Sequence, residues 1–254
     1  HHDARRQRQM CIRDRVIKDQ RIKFLSVPSP FDRKNRDFDI TERHVIEILE
    51  KLDINIKEIS SIGVTGGKSA DLPDRICDVP ITKVNEIDAI GKGARSLYKI
   101  SKESSLVVSS GTGTACVHIQ NTATNHLGGI SVGGGMLEGL SNLLVNIPHG
   151  VKINNFAEKG NRKILDVMIG EAVNEIGNLN AEITAANFAK ARNEPTNSIE
   201  DISASLCNMV GEVIGTVAYL NALLVGSNKA YFLGRTSMLS EVKKGIDARL
   251  ALAG

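Results

Sequence analysis

The sequence predicts an α/β fold with mixed sheets flanked by helices, divided into two lobes near residue 105. Three observations carry that prediction. Up to about residue 100, short apolar strands alternate with segments of helical period. From Leu106 the texture changes to hairpin-forming strands around glycine-rich bends, followed by a largely helical remainder. The chain has 254 residues, 41% of them hydrophobic and 24% charged, enough apolar side chain for a large core in one long domain or two lobes.

Element by element, Val16 to Val27 reads as one or two short strands and Pro28 to Asp39 as a polar loop. Thr41 is suited to cap a helix whose Val45, Ile46, Ile48, Leu49 and Leu52 recur at helical spacing up to Asp53. Ile59 to Val64 is an apolar strand running into Thr65-Gly66-Gly67, an order of strand, glycine turn and helix. Ile81 to Val84 is a further strand and Ile87 to Ile100 a helix, in which Gly91 and Gly93 permit close backbone approach. LVVSS, the GTGT turn and ACVHIQ make a hairpin signature, with a third strand near Leu127 to Val132. Gly133, Gly134 and Gly135 open a helix over Met136 to Val145 whose apolar stripe suits a core. Helices are expected over Ile164 to Ile176 and Ile199 to Leu224. A strand from Ala230 to Leu233, the turn Gly234-Arg235-Thr236 and a last helix from Leu239 to Leu250 complete the chain.

The net charge of +3 is local: the first fifteen residues, HHDARRQRQMCIRDR, hold five arginines and two aspartates, and the rest balances 27 basic against 27 acidic residues. Such a leader is either a nucleic-acid arm or a non-native segment. It has no folding periodicity, so residues 1–15 are set apart as a leader and no nucleic-acid partner is expected. The longest unbroken apolar runs, such as Leu106 to Val108 and Ala222 to Val225, fall far short of the ~20 residues that cross a bilayer. No membrane segment is expected, and the charged start lacks a secretory apolar block, which points to the cytoplasm. Cys11, Cys77, Cys116 and Cys207 are scattered without a CxxC pair or a nearby histidine, which argues against a zinc site or disulfide framework. The last three read as reduced thiols, mostly buried.

Three glycine-rich turns carry the chemistry: Gly66-Gly67, Gly111-Thr112-Gly113-Thr114 and Gly133-Gly134-Gly135. Each follows a strand, and the first and third precede a helix. Glycine lets backbone amides approach an anion closely, and a following helix N-terminus adds partial positive charge. Three such turns in one α/β chain point to a nucleoside triphosphate, although neither a Walker loop nor a dinucleotide fingerprint is present. Phosphoryl transfer to an alcohol also needs a carboxylate at the acceptor oxygen. Glu86, between a strand and a helix, is the best candidate; Asp88 competes with it, and Asn85 and Glu86 could equally serve as a plain helix cap.

Together VTGGKSADL, VNEIDAIGKGARSL, SSGTGTACVHI, GGISVGGGMLEGLSNLL, FAEKGNRKILDVMIG and ITAANFAKA, in this order, resemble segments of the type II pantothenate kinases, over about residue 16 to the end. The resemblance implies a two-lobed actin-like ATPase (ribonuclease H-like) fold with its first strands missing. It implies ATP and Mg²⁺ as cofactors and phosphorylation of pantothenate, the first step of coenzyme A synthesis, in a homodimer. Carried over by position, Glu86 becomes the general base on the pantothenate hydroxyl. Gly111, Thr112, Gly113 and Gly133 to Gly135 become the phosphate cradle with Gly66, Gly67 and Thr114, and Gly234 lies near the adenosine. Thr112, Ala115 and His126 face the substrate; no metal-ligating residue is named. Residues 16–105 form the lobe with the catalytic acid and 106–254 the lobe with the nucleotide turns.

Two departures fall on substrate-facing positions: Ala115 stands where the family has serine, and His126 where it has arginine. Losing two polar contacts lowers selectivity for a hydroxyl-rich acid. The family's opening D-x-G-G-[ST]-x-x-K segment is absent, as is its final glycine-rich helix, so the chain as written is expected to bind MgATP poorly and turn over slowly or not at all. The alternatives are an N-acetylhexosamine-type sugar kinase, an inactive nucleotide-binding regulator, and an activator ATPase of a CoA-ester dehydratase. The last needs junction cysteines whose spacing Cys116 and Cys207 lack.

Overall fold

A computed structural model of the chain describes residues 11–18, 21–28, 42–66, 69–174 and 180–253, the first two segments by backbone alone. Packing gathers them into two compact units, up to Ala89 and from Ile90 onward. Both are α/β, with mixed sheets and helices.

In the first unit, β1 (Cys11–Lys18) pairs antiparallel with β2 (Arg21–Pro28), from Lys18↔Arg21 out to Cys11↔Pro28. The strand therefore begins inside the leader set apart above. A ladder is built from backbone groups, so a register once set extends upstream whatever the side chains. Helix α1 (Glu42–Lys51) buries Ile48 and Leu49; Thr41 and the loop before it lie outside the described residues. A three-stranded sheet follows in the order β3 (Ile62–Val64), β5 (Val79–Lys83), β4 (Arg75–Ile76), with β3 parallel and β4 antiparallel to β5. The helix expected after Gly66 does not form. Ser69 donates both its amide (3.1 Å) and its hydroxyl (2.8 Å) to the Gly66 carbonyl, closing a 3-10 turn over Ser69–Asp71, and Pro73 biases the residue before it away from helix.

Helix α2 (Glu86–Tyr98) straddles the two units. The second unit is built on a four-stranded sheet, β11 (Ala230–Leu233), β6 (Ser105–Ser110), β7 (Thr114–Gln120) and β8 (Ala123–Ile130), with β11 parallel to β6 and the rest antiparallel. Alternation divides its side chains between two layers. Leu106, Val108 and Cys116 join the main core with α3 (Gly134–Val145), α4 (Gly150–Ala157), α6 (Ile199–Leu224) and α7 (Ser240–Leu250). Val107, Val117 and Ile119 are buried on the opposite face. There α2 docks: a Cβ on Gly91 would lie 2.6 Å from Thr124 Cγ2 and 3.2 Å from Ile119 Cγ2, whereas Gly93, also expected at a close approach, has nothing within 4 Å. Arg95 Nη2 donates to the Ala123 carbonyl at 3.1 Å and Tyr98 Oη to Phe232 at 2.7 Å. These contacts place the packing boundary within α2, upstream of the lobe boundary read near residue 105.

Helix α6 is long and apolar enough, by length and composition, to cross a bilayer. Unbroken-run counting overlooks it because Ser203, Ser205, Asn208 and Glu212 interrupt the apolar residues without lowering the average much. Half of that stretch is buried inside the protein, with Leu206, Cys207, Val210, Ile214 and Ala218 in the main core, so it serves as the core helix of this unit. Cys207 lies deep in that core, where burial pushes its thiol up to about 12; Cys116 is also buried and Cys77 exposed.

The helix expected over Ile164 to Ile176 is replaced by a 3-10 turn at Arg162–Ile164, β9 (Val167–Met168), a single-turn α5 (Ile169–Ala172) and β10 (Thr184–Ala186), antiparallel to β9. Ile176 lies outside the described residues. Tertiary pairing overrides the helical period here: Leu165, Met168 and Ile183 are buried, and the Phe188 amide donates to Asp166 Oδ1 at 2.9 Å.

Candidate active site

The carboxyl ends of the parallel strands β6 and β11 lead into two adjacent turns, Gly111-Thr112-Gly113 and Gly234-Arg235-Thr236. Ligands of open α/β sheets gather at such ends. The Gly111 carbonyl accepts two hydrogen bonds there, from the Gly134 amide (2.8 Å) and from Thr236 Oγ1 (2.9 Å). The Gly135 amide donates to the Thr112 carbonyl at 2.9 Å, and Gly111 N to Gly113 O at 2.9 Å. Two glycines are required by space. A Cβ on Gly133 would lie 2.7 Å from the Thr112 carbonyl oxygen, and one on Gly234, at φ +94°, would collide with the Ser110 carbonyl. Gly111 to Thr114, Gly133 to Gly135 and Gly234 are thus brought together as one cradle.

The triple glycine joins this cradle by packing rather than by offering three free amides, since those of Gly134 and Gly135 are already paired. The amides of Thr112, Gly113 and Gly133 donate to no acceptor among the described residues, and Thr112 lies exposed at the tip. The twelve-residue α3 starts beside them with no side-chain cap, so its positive end is unquenched. Thr114, grouped above with the phosphate binders, spends its hydroxyl on the Val132 carbonyl at 2.8 Å, with Ser110 Oγ 3.0 Å away. It braces the turn from below. Ala115 pairs with Gly129 and His126 with Val117, which puts both on the face where α2 docks, Ala115 half-buried and His126 exposed.

Gly66 and Glu86 belong to the first unit; Gly67 lies outside the described residues. Gly66 has φ +104° but ends no strand-to-helix turn. Asn85 does the capping of α2: its Oδ1 accepts from Ile87 N at 2.9 Å and its carbonyl from Ala89 N at 2.9 Å. Glu86, in the first turn, is exposed and makes no hydrogen bond or ion pair among the described residues. Its carboxylate is therefore spare, while Asp88, in the same first turn, is half-buried.

Sequence reasoning missed a buried ionic cluster in the second unit. Glu212, 2% exposed in mid-α6, accepts from Thr184 N (3.3 Å), Asn187 Nδ2 (3.5 Å) and Arg249 Nη2 (3.3 Å). Thr184 Oγ1 accepts from Arg162 Nη1 (2.7 Å) and Asn208 Nδ2 (3.0 Å), and Arg162 lies 3.9 Å from Asp166 Oδ2. Burial pushes the Asp166 carboxyl above its usual range, opposed by the Phe188 amide, Ser205 and Arg162. The signal was present as a lone acid in the apolar run VGEVIG. His118, by contrast, is part-buried on β7, its Nε2 2.9 Å from Ser104 Oγ.

The profile of the Fumble family matches residues 104–241, more than half of the chain and all of the cradle. The chain belongs to the Fumble family. This Fumble-family chain is 33% identical over 198 residues to a type II pantothenate kinase of Bacillus thuringiensis subsp. konkukian, covering 76% of the chain and 70% of the relative. It is 30% identical over 182 residues to that of Oceanobacillus iheyensis, covering 70% and 67%. Among solved structures, a ROK family glucokinase from Streptomyces griseus in complex with glucose and AMPPNP superposes with a TM-score of 0.55 at 10% identity, over 96% of the chain and 86% of its own. ROK hexokinase from Thermus thermophilus gives 0.53 at 12%, over 96% and 85%. The shared fold is the actin-like ATPase fold, and the chain is an ATP-dependent kinase of a small metabolite, related to the type II pantothenate kinases.

Proposed function

We propose that this kinase transfers the γ-phosphate of ATP to pantothenate, giving 4'-phosphopantothenate. The observation that carries the reading is the cradle: glycine turns joined through the Gly111 carbonyl, with amides at Thr112 and Gly113 that are unpaired among the described residues and lie beside the open end of α3, in a chain 33% identical over 198 residues to a type II pantothenate kinase. Those amides and the helix end hold phosphate oxygens without bringing a competing charge. Gly234, at the end of β11, supports the adenosine side. Glu86 takes the proton from the pantothenate hydroxyl as its oxygen bonds to the γ-phosphorus and the bond to ADP breaks. Among the described residues no three His, Cys, Asp or Glu side chains converge as a cation site. Magnesium, which the family resemblance implies, would enter with the nucleotide phosphates and neutralise charge on them. A cytoplasmic homodimer completes the proposal, supported by the family resemblance.

A sugar kinase is the second reading, favoured by Ala115 and His126 at positions where a pantothenate site would hold serine and arginine. Purified protein offered pantothenate or N-acetylhexosamines, with ADP formation measured, separates the two. Phosphorylation of the sugar and not of pantothenate would overturn the first. Glu86→Gln is expected to lower turnover by roughly 10²–10⁴-fold with nucleotide affinity unchanged; an equal loss of both assigns Glu86 a structural role instead.

A further inference from the structure

We infer that Thr236 is a positioning residue of the nucleotide site, its hydroxyl setting the geometry of the phosphate cradle without itself touching the phosphates. The inference rests on the kinase reading above. Thr236 is 4% exposed, and its hydroxyl ties its own turn to the one at Gly111 and lies beside Gly134 at the start of α3. It donates to the Gly111 carbonyl at 2.9 Å, beside the Gly134 amide that donates to the same oxygen at 2.8 Å. Two donors occupy both lone pairs of that carbonyl, so Gly111 is held from the β11 side and the α3 side at once. Among the described residues this is the one side-chain hydrogen bond joining the turn after β11 to the turn after β6.

The hydroxyl also limits what can sit at the start of α3, since a Cβ on Gly134 would lie 2.8 Å from Thr236 Oγ1. The turn bearing Thr236 is itself anchored. Ser237 Oγ donates to the Leu233 and Gly234 carbonyls at 3.0 Å each, and Gly234 packs against Ser110. A rigid turn thus delivers one donor to the carbonyl that orients the Thr112 and Gly113 amides. Without that donor, the Gly111 carbonyl keeps only its bond from the Gly134 amide. The exposed tip then gains freedom that phosphate binding must remove.

The test compares Thr236→Val, which keeps the shape and removes the donor, with Thr236→Ser, which keeps the donor. Binding of the β,γ-imido analogue of ATP is measured by calorimetry on the full chain, and KM is measured for ATP and for the acceptor. Valine is expected to weaken analogue affinity about tenfold and raise KM for ATP but not for the acceptor, while serine stays within about twofold of wild type. Hydrogen exchange without nucleotide should be faster at the Gly134 amide in the valine variant. Wild-type binding that Thr236→Val leaves unchanged overturns the inference alone. Wild type that binds no analogue overturns the nucleotide reading and this inference with it. Should Thr236→Val fail to fold, Thr236→Ala against Thr236→Ser reads the same contrast, and a serine variant as weak as alanine overturns the positioning role.

Discussion

The glycine cradle and the ionic cluster around Glu212 both hold irregular backbone in the second unit, by opposite means. The cradle uses amides, hydroxyls and steric fit, with no charged side chain, among the described residues, in the bonds that join its turns. The cluster uses two buried acids and two guanidinium groups to fasten the segment from Arg162 to Phe188 onto α6 and α7. On the proposed function, the difference follows from what each must tolerate. A turn that holds phosphate gains from neutral donors, because a fixed acid would repel the ligand and a fixed ion pair would compete with it. A purely structural contact can bury charge, provided each ion keeps a partner.

The comparison breaks most readily at Gly234. Alanine there must adopt φ near +94° with its Cβ against the Ser110 carbonyl. Left-handed strain and overpacking together are expected to cost roughly 3–5 kcal/mol, read as a fall in denaturation midpoint together with loss of nucleotide binding. A stable, nucleotide-binding Gly234→Ala protein would show that the turns are not locked by shape. Glu212→Ala should cost about 2–4 kcal/mol, since Arg249 and the Thr184 amide lose their shared acceptor. In the properly folded fraction, nucleotide affinity should be unchanged; an equal loss would mean that the two assemblies act as one.

The smallest effect is a pH dependence. Burial raises the folded Asp166 carboxyl above its usual value, so the native state holds that proton more tightly than the unfolded chain. Its contribution to stability is therefore complete below the ordinary carboxylate range and is lost as pH rises through the raised value. Of the groups facing it, Glu212 keeps its partners, Ser205 and the Phe188 amide are uncharged, and Arg162 loses its 3.9 Å ion pair with Asp166 but keeps its hydrogen bond to Thr184 Oγ1. Asp166→Asn retains an oxygen for the Phe188 amide and should flatten the melting temperature across that window relative to wild type. Identical slopes would rule out Asp166 as the titrating group.

Local rules were legible wherever the chain's own spacing sufficed. Ile199–Leu224 reads as a helix from its period alone, and the Gly111–Gly113 bend and the Gly133–Gly135 start of α3 read from glycine placement. The same rules failed at Gly66, where a serine three residues on closes a 3-10 turn, and after Arg162, where a buried aspartate and a distant strand replace the expected helix. Capping by Asn85 left Glu86 free, which a capping rule could not apportion between adjacent residues.

Amino-acid order alone determined the α/β class and the glycine turns at Gly111 and Gly133, because these depend on periodicity and on residues within one turn of each other. That the Gly111 carbonyl would draw donors from Gly134 and Thr236, and that Glu212 would meet Arg249 across two helices, was decided only in the tertiary structure. Such bonds join groups far apart along the chain, and which of many chemically equivalent carbonyls or carboxylates acquires a partner is set by how the sheet and helices pack.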